Sequence, residues 1–174
     1  MLVEQKCYSK LTNLNEIFHR RPHAMAMLAG SSEYSEIKGT VGFYQTGCGV
    51  LVVTEVMGLP NSKEQCKSSF FAVHIHEGES CSGSAEDSFA NAMQHYNPQG
   101  CEHPGHAGDL PPLLGNQGYA FSVFLTDRFS VREILGRTVI IHSGADDFHT
   151  QPSGNAGTKI ACGVVRKVDK AVQS

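Results

Sequence analysis

The chain has 174 residues, enough for one domain with a core of its own. Fourteen Lys and Arg against seventeen Asp and Glu give a formal net charge of −3, which argues against a nucleic-acid-binding surface and against a polybasic membrane patch. No apolar run approaches the length of a transmembrane helix. Eighteen glycines and seven prolines among short apolar runs favour a turn-rich β structure over a helical one.

Residues 1–22 are polar and predict an arm that lies outside the core or packs at its edge. Within it, the segment 12–21 has the pattern of one short amphipathic helix. The N-terminus has neither the apolar stretch nor the small-residue cleavage site of a secretory signal, so we expect a cytoplasmic protein. Residues 23–174 then form a single domain.

Beyond the arm, short apolar segments with alternating polarity predict β-strands. In chain order they are 24–31, 37–45, 48–59, 70–76, 118–126, 138–142 and 159–168, with a helical turn at 130–136. Thr46-Gly47 predicts a tight hairpin between the second and third strands. Two long segments, 77–118 and 143–158, lack strand character and are expected to be functional loops. The fold class is therefore all-β, a β-sandwich or barrel of about eight antiparallel strands with two long functional loops.

Seven of the nine histidines fall between positions 74 and 149. His74 and His76 are separated by one residue in a predicted strand, so their side chains lie on the same face. Neutral imidazole is a common ligand of zinc and copper, and two of them supply half of such a site. Alone, the pair is a weak indication, because motifs this short occur often by chance.

The loop that follows holds a denser set of candidate ligands, namely His95, His103, His106 and Asp109. Three imidazoles and one carboxylate fill a tetrahedral zinc shell, and a shell without an open position is structural. The alternative is a polar loop with solvated histidines. Three histidines and an aspartate within 15 residues make that alternative the weaker one.

His142 ends the apolar run TVII, where a solvated histidine would be unusual. With His74, His76 and one histidine from the loop it supplies four nitrogens, a donor set that suits Cu(II). The loop histidine can serve two metals because its two ring nitrogens are distinct ligand atoms. His149 has no partner in this pattern and is expected at the surface.

Five segments in a fixed order resemble copper/zinc superoxide dismutases: VHIHE, HYNP, HAGDL, VIIH and GNAGTKIACGV. The resemblance covers about residues 24–168 and implies that the predicted sandwich or barrel is a Greek key. The short gap between His76 and Cys81, and the sequence GDLPPL, are more similar to the bacterial branch of the family than to the eukaryotic one.

The resemblance implies roles for individual residues. Copper would be held by His74, His76, His95 and His142, and zinc by His95, His103, His106 and Asp109, with His95 as the bridge. Asp146 would link ligand histidines of the two sites, as carboxylates that orient imidazoles commonly do. Cys81 and Cys162 would form a disulfide, and Cys101 is a further candidate ligand near His103.

The implied activity is the disproportionation of superoxide to O₂ and H₂O₂ at a redox copper bridged by a histidine to a structural zinc. His95 would be catalytic by carrying a proton, and Lys159 by guiding the anion. The implied partners are the small anionic substrate superoxide and a second copy of the chain in a homodimer. Neither nucleic acid nor a membrane is expected as a partner.

Two alternatives stand beside this interpretation. A non-enzymatic copper/zinc-binding domain could use the same fold, because fold does not fix function. The complete copper set argues against it. A zinc hydrolase is poorly supported, because no carboxylate is positioned as a general base beside an open three-ligand zinc.

Lys159 stands where the resemblance implies an arginine beside copper, and this difference gives a prediction. Lysine keeps the positive charge but lacks the planar fork of donors. We therefore expect the variant Lys159→Arg to remove superoxide faster than the wild type in a steady-state assay. An unchanged or lower rate would contradict this.

Overall fold

The computed structural model describes residues 19–61 and 69–169. Its strands are β1 (Ala24–Gly30), β2 (Lys38–Thr46), β3 (Gly49–Met57), β4 (Phe70–Phe71), β5 (Val73–His76), β6 (Leu113–Leu114), β7 (Ala120–Thr126), β8 (Thr138–His142) and β9 (Lys159–Lys167). A short helix α1 (Val131–Ile134) and a 3-10 turn at Ala90–Ala92 complete the regular structure of these residues. Across these described ranges, no helix is long and apolar enough to cross a membrane.

Seven strands form one antiparallel sheet in the order β5-β8-β9-β1-β2-β3-β7, and β4 pairs with β6 in a small second sheet. Val73 and Ile75 from one edge strand share a buried cluster with Ala120 from the other edge and Phe43 from the middle. Both ends of the sheet therefore close over one core. The strand order, with long crossings between non-neighbouring strands, is that of a Greek key, and the predicted all-β sandwich or barrel is confirmed.

Most predicted strands agree with the structure to within one or two residues, but one strand and one turn differ for clear reasons. The predicted strand 70–76 is divided at Ala72, whose backbone bonds to His142 and Gly144. Its first half then pairs with Leu113–Leu114, a strand that two adjacent leucines were too short to predict. In the predicted hairpin, Thr46 pairs directly with Gly49, so the turn is one residue later than expected.

The N-terminal part of the predicted domain organisation is only partly described. The expected helix over 12–21 falls largely outside the described residues. His23, the first residue assigned to the domain, donates from its backbone to Phe43 O and accepts from Val168 N, so the described sheet bonding already includes it. The boundary between an arm over 1–22 and a domain over 23–174 stays a prediction.

A β-bulge separates two neighbouring pairs of β8 and β9. Ile141 pairs with Ala161, but His142 pairs with Lys159, so one residue of β9 is passed over. A bulge redirects side chains locally. Because directly paired residues of antiparallel strands lie on the same face, the bulge sets Lys159 beside His142.

The predicted disulfide between Cys81 and Cys162 is present and joins the loop after β5 to β9 across a sequence separation of 81 residues. Cys162 is buried, whereas Cys81 is partly exposed. The bond fastens the start of a long loop to the central sheet.

Because the disulfide closes so long a loop, its removal should be costly. In the chain-entropy account, we expect the double variant Cys81→Ala, Cys162→Ala to lose about 4–5 kcal/mol of unfolding free energy. Urea unfolding of the metal-free protein measures it. The control is Cys101→Ala, at an exposed free cysteine, which should change stability by less than about 0.5 kcal/mol. Equal effects in the two variants would contradict a role for the bond.

Candidate metal centre

The edge strand β5 is covered by the loop that follows it. Tyr96 N donates to Ile75 O, and Ile75 N donates to Gly108 O, both at 2.8 Å. An exposed edge would leave these groups without partners. Isolated bridges also pair His74 with Asp109 and His76 with His95. The backbone of the loop thus aligns its ligand candidates with those of the strand.

Two groups of ligand atoms result. One contains His74, His76, His95 and His142, and the other contains His95, His103, His106 and Asp109. Within each group the ligand atoms lie within 4.8 Å of one another, and every member is buried. The structure therefore brings together all seven residues predicted as ligands, with His95 common to both groups.

Hydrogen bonds fix the ring tautomers of two histidines in the first group. His76 Nδ1 lies 2.9 Å from Met93 O, and His142 Nδ1 lies 3.3 Å from Gly157 O. A carbonyl oxygen only accepts, so each Nδ1 carries the hydrogen and each Nε2 presents a lone pair. These two Nε2 atoms are 3.4 Å apart. Two lone pairs at this distance repel unless a cation lies between them.

Asp146 fixes the tautomers of two further histidines, one from each group. Its carboxylate accepts from His74 Nε2 at 2.7 Å and from His103 Nε2 at 2.9 Å. The remaining Nδ1 of each ring is therefore unprotonated. Gly154, with φ of +67°, covers this bridge so closely that an added Cβ would collide with both Asp146 and His103.

The ring nitrogens left free by this arrangement are buried without hydrogen-bond partners. They are His74 Nδ1, His95 Nε2 and His103 Nδ1. His103 Nδ1 lies 3.1 Å from Asp109 Oδ2, but neither atom carries a hydrogen, so the two form no hydrogen bond. An unsatisfied buried polar atom costs about 1–3 kcal/mol. Metal coordination would satisfy all three, so the residues present fit metal ions.

The second group is arranged around the carboxylate of Asp109. Oδ1 lies 2.9 Å from His95 Nδ1 and 3.3 Å from His106 Nδ1, and Oδ2 accepts from the backbone N of His106 at 3.0 Å. Three imidazoles and one carboxylate are a closed zinc donor set. Because His95 turns Nδ1 toward Asp109, its Nε2 is left for the first group.

The electrostatics keep the imidazoles of His74, His76 and His142 neutral and the Asp109 carboxylate ionised. Burial, with repulsion from His95 and His142, lowers the pKa of His74 to about 2. Burial also lowers the pKa of His142 to about 4 and that of His76 well below its usual range. For Asp109, burial would raise the pKa, but hydrogen bonding to His95 and the neighbouring histidines hold it lower. Metals bind these deprotonated forms.

Gln151 holds the zinc-side loop and was not predicted from the sequence. Its side-chain oxygen accepts from His103 N at 3.0 Å, and its amide donates to His103 O at 2.7 Å. These two hydrogen bonds, between residues 48 positions apart, fix the backbone of a candidate ligand. A glutamine in a polar loop carries no sequence signal for such a role.

Arg128 fastens the same loop from another side and was also not predicted. Its Nη1 donates to Pro104 O at 3.0 Å and to His106 O and Asp109 O at 3.2 Å each. One guanidinium thus satisfies three loop carbonyls, which orders the backbone that carries the ligands.

A cavity of about 420 Å³ opens beside the first group, and His76, His95, His142 and Lys159 are among the residues that line it. Lys159 Nζ donates to Asp87 Oδ2 at 2.7 Å and to Phe89 O at 3.2 Å. Asp87 was not predicted as a site residue.

His149 has a side chain that is 78% exposed, as expected. Cys101 is exposed and belongs to neither group, so it is not drawn into the zinc-side cluster.

Comparison with known proteins identifies the family of this chain. Residues 37–165 match the family model described as copper/zinc superoxide dismutase. Superoxide dismutase [Cu-Zn] 2 of Aquifex aeolicus is 35% identical over 146 residues, covering 75% of this chain and 80% of that protein. A superoxide dismutase [Cu-Zn] of Deinococcus radiodurans is 31% identical over 153 residues, covering 77% of this chain and 80% of that protein. The extracellular superoxide dismutase [Cu-Zn] of Drosophila melanogaster is 34% identical over 162 residues, covering 82% of this chain and 83% of that protein.

The chain therefore belongs to the copper/zinc superoxide dismutase family. The family predicted from five sequence segments is confirmed, and bacterial proteins are among its relatives. Copper and zinc are the cofactors that fit both the family and the two ligand groups.

The Asp146 bridge predicts that one substitution weakens both metal sites. In Asp146→Ala, the imidazole N–H groups of His74 and His103 both lose their acceptor, so one ligand ring of each group is no longer held. We expect the affinity for Cu²⁺ and Zn²⁺ to fall by about 10–100-fold in chelator competition. The matched control is Asp147→Ala, because the carboxylate of Asp147 bonds only Thr150 and His149 among the described residues, within its own loop. Equal losses in both variants would show that loop stability, rather than the bridge, determines the affinity.

Proposed function

We propose that this protein is a superoxide dismutase that uses the two ligand groups as a redox copper site and a structural zinc site. In this proposal copper is held by His74, His76, His95 and His142, and zinc by His95, His103, His106 and Asp109. The observation that carries the proposal is the facing pair of lone pairs on His76 and His142, 3.4 Å apart beside an open cavity.

The overall reaction converts two superoxide anions and two protons to O₂ and H₂O₂. Bound copper would supply the one-electron redox chemistry, oxidising one superoxide and reducing another. The chain controls the direction of approach: His74 is completely buried, whereas His76, His95 and His142 line the cavity. The substrate therefore enters from the side that also holds Lys159.

His95 is the proposed proton carrier. Its Nδ1 is directed to Asp109, at 2.9 Å, and its Nε2 is buried at the floor of the cavity without a hydrogen-bond partner. Because Nδ1 stays with Asp109, Nε2 is the nitrogen of His95 that could take up a proton for the reduced substrate, and only while it is not bound to copper. Imidazole suits this step because a ring nitrogen can both accept and donate a proton.

Lys159 is the proposed anion-guiding residue. Two of the three hydrogens on its ammonium group are engaged, by Asp87 and Phe89, which leaves one donor for a substrate oxygen.

The zinc site has a structural role in this proposal. With four protein ligands it has no open position, so it orders the loop and keeps Nδ1 of His95 engaged.

A copper/zinc-binding domain without enzymatic activity is the second candidate. The observation that favours it is the pairing of Lys159 with Asp87, which neutralises the cation that would attract superoxide. The complete ligand set beside an open cavity favours the enzyme. The two candidates differ in turnover and agree in metal content.

The compartment and the oligomeric state stay predictions. A cytoplasmic location was expected from the N-terminal sequence. The Cys81–Cys162 disulfide favours an oxidising compartment instead, because such bonds are rare in a reducing cytosol. A homodimer is implied by the resemblance, and a sedimentation measurement would test it.

Replacing His142 tests the proposed function. His142→Ala removes one of four copper nitrogens and none of the zinc ligands. We expect copper to be lost, zinc to be retained, and superoxide removal to fall by roughly 100-fold or more, since even outer partners of ligands are worth about 10–100-fold. Metal analysis and a superoxide assay on the same sample measure these effects.

The matched control is His149→Ala, at an exposed histidine outside both groups. It should keep both metals and full activity. A wild-type protein with two bound metals and no superoxide removal would favour the non-enzymatic domain.

A further inference from the structure

The cavity beside the proposed copper ligands has an unusual charge balance. Among the described residues that line it, Lys159 is the single lysine or arginine, whereas Glu33, Glu86 and Asp87 contribute three carboxylates. Glu33 and Glu86 are exposed at its rim, and Asp87 is half-buried. An entrance with more carboxylates than ammonium groups opposes the entry of a small anion.

The position of Asp87 determines how much of the charge of Lys159 reaches that anion. Its carboxylate lies 2.7 Å from Lys159 Nζ, and the lysine side chain is 16% exposed. Burial would raise the pKa of Asp87, but the hydrogen bond from Lys159 holds it lower, so the carboxylate stays ionised at neutral pH. The ammonium therefore acts as half of an ion pair.

The loop holds Asp87 rigidly in this position. Asp87 Oδ1 accepts from Phe89 N at 3.0 Å, and Asp87 O accepts from Ser84 N at 2.9 Å and from Ala90 N at 3.1 Å. The Cys81–Cys162 disulfide fastens the same loop to β9, three residues beyond Lys159. The carboxylate and the ammonium are thus fixed from both sides.

We propose that Asp87 is a positioning residue that restrains Lys159 and so lowers the affinity of the copper cavity for small anions. The proposal rests on the proposed function for its substrate and concerns the regulation of the same site. Bound metals carry larger charges than one lysine, so Lys159 adjusts anion affinity and does not create it. Releasing one unit charge a few ångströms away in partly solvated surroundings should change affinity by about 3- to 10-fold.

Azide binding to the copper- and zinc-loaded protein tests this without turnover. Titration is followed by the change in the visible copper spectrum. We expect Asp87→Asn, which removes the charge, and Asp87→Ala, which also removes the bond, to tighten azide binding by about 3- to 10-fold. Metal content, measured on each sample, establishes that both sites are filled.

Glu86→Gln is the matched control. It removes the same unit charge from the same cavity, but the hydrogen bond of Glu86 is with Ser84. We expect its azide affinity to change by less than about 2-fold. Equal tightening in Glu86→Gln and Asp87→Asn would overturn the proposal, because net charge alone would then explain the result.

A double variant identifies the route of the effect. If Asp87 acts through Lys159, replacing Asp87 in a Lys159→Met background should change azide affinity by less than about 2-fold, as in Glu86→Gln. Tightening that persists without the lysine would overturn the proposal. In the metal-free protein, the Lys159 ammonium should give a slowly exchanging ¹⁵N NMR signal that is lost in Asp87→Ala.

The two proposals fail in different ways. If azide binding responds as expected but superoxide is not removed, the proposed function is wrong and the restraint on Lys159 stands. If superoxide is removed but the Asp87 variants bind azide with the affinity of the wild type, the proposed restraint on Lys159 is wrong and the proposed function stands.

Discussion

Asp146 accepts hydrogen bonds from two imidazoles that belong to different ligand groups, His74 at 2.7 Å and His103 at 2.9 Å. This carboxylate decides which nitrogen of each ring is free to bind a metal. It also joins the loop after β8 to a strand and to the zinc-side loop. If either ring turned, its metal-binding nitrogen Nδ1 would point away from the other ligands of its group. The geometry of both metal sites therefore depends on this one carboxylate.

The loop that carries ligand residues also pairs with the edge strand β5. An edge strand such as β5 must have its backbone groups satisfied, and here a loop without regular structure does so. Because that loop also carries ligands, covering the edge and assembling the metal centre are one event. Arg128 and Gln151 then hold the loop through its carbonyls and amides, and zinc would complete its order.

At the entrance to the cavity, the charge of Lys159 is opposed by that of Asp87. The bulge between Ile141 and His142 sets Lys159 next to a ligand, where its charge could act on an incoming anion. The disulfide-fastened loop sets Asp87 against the same ammonium. An ion pair so close reduces the field that the lysine projects into the cavity, so the position of one carboxylate influences the electrostatics of the whole entrance.

The fold class, the strands with strong alternation and the seven ligand candidates could be predicted from the sequence, because periodicity and ligand spacing are local properties of the chain. The resemblance of five short segments was enough to predict the family. The division of the strand at Ala72, the pairing of Leu113–Leu114 and the roles of Gln151, Arg128 and Asp87 became visible only in the folded structure. These depend on contacts between residues far apart in the chain, and ordinary polar side chains reveal such contacts only once folding has brought them together.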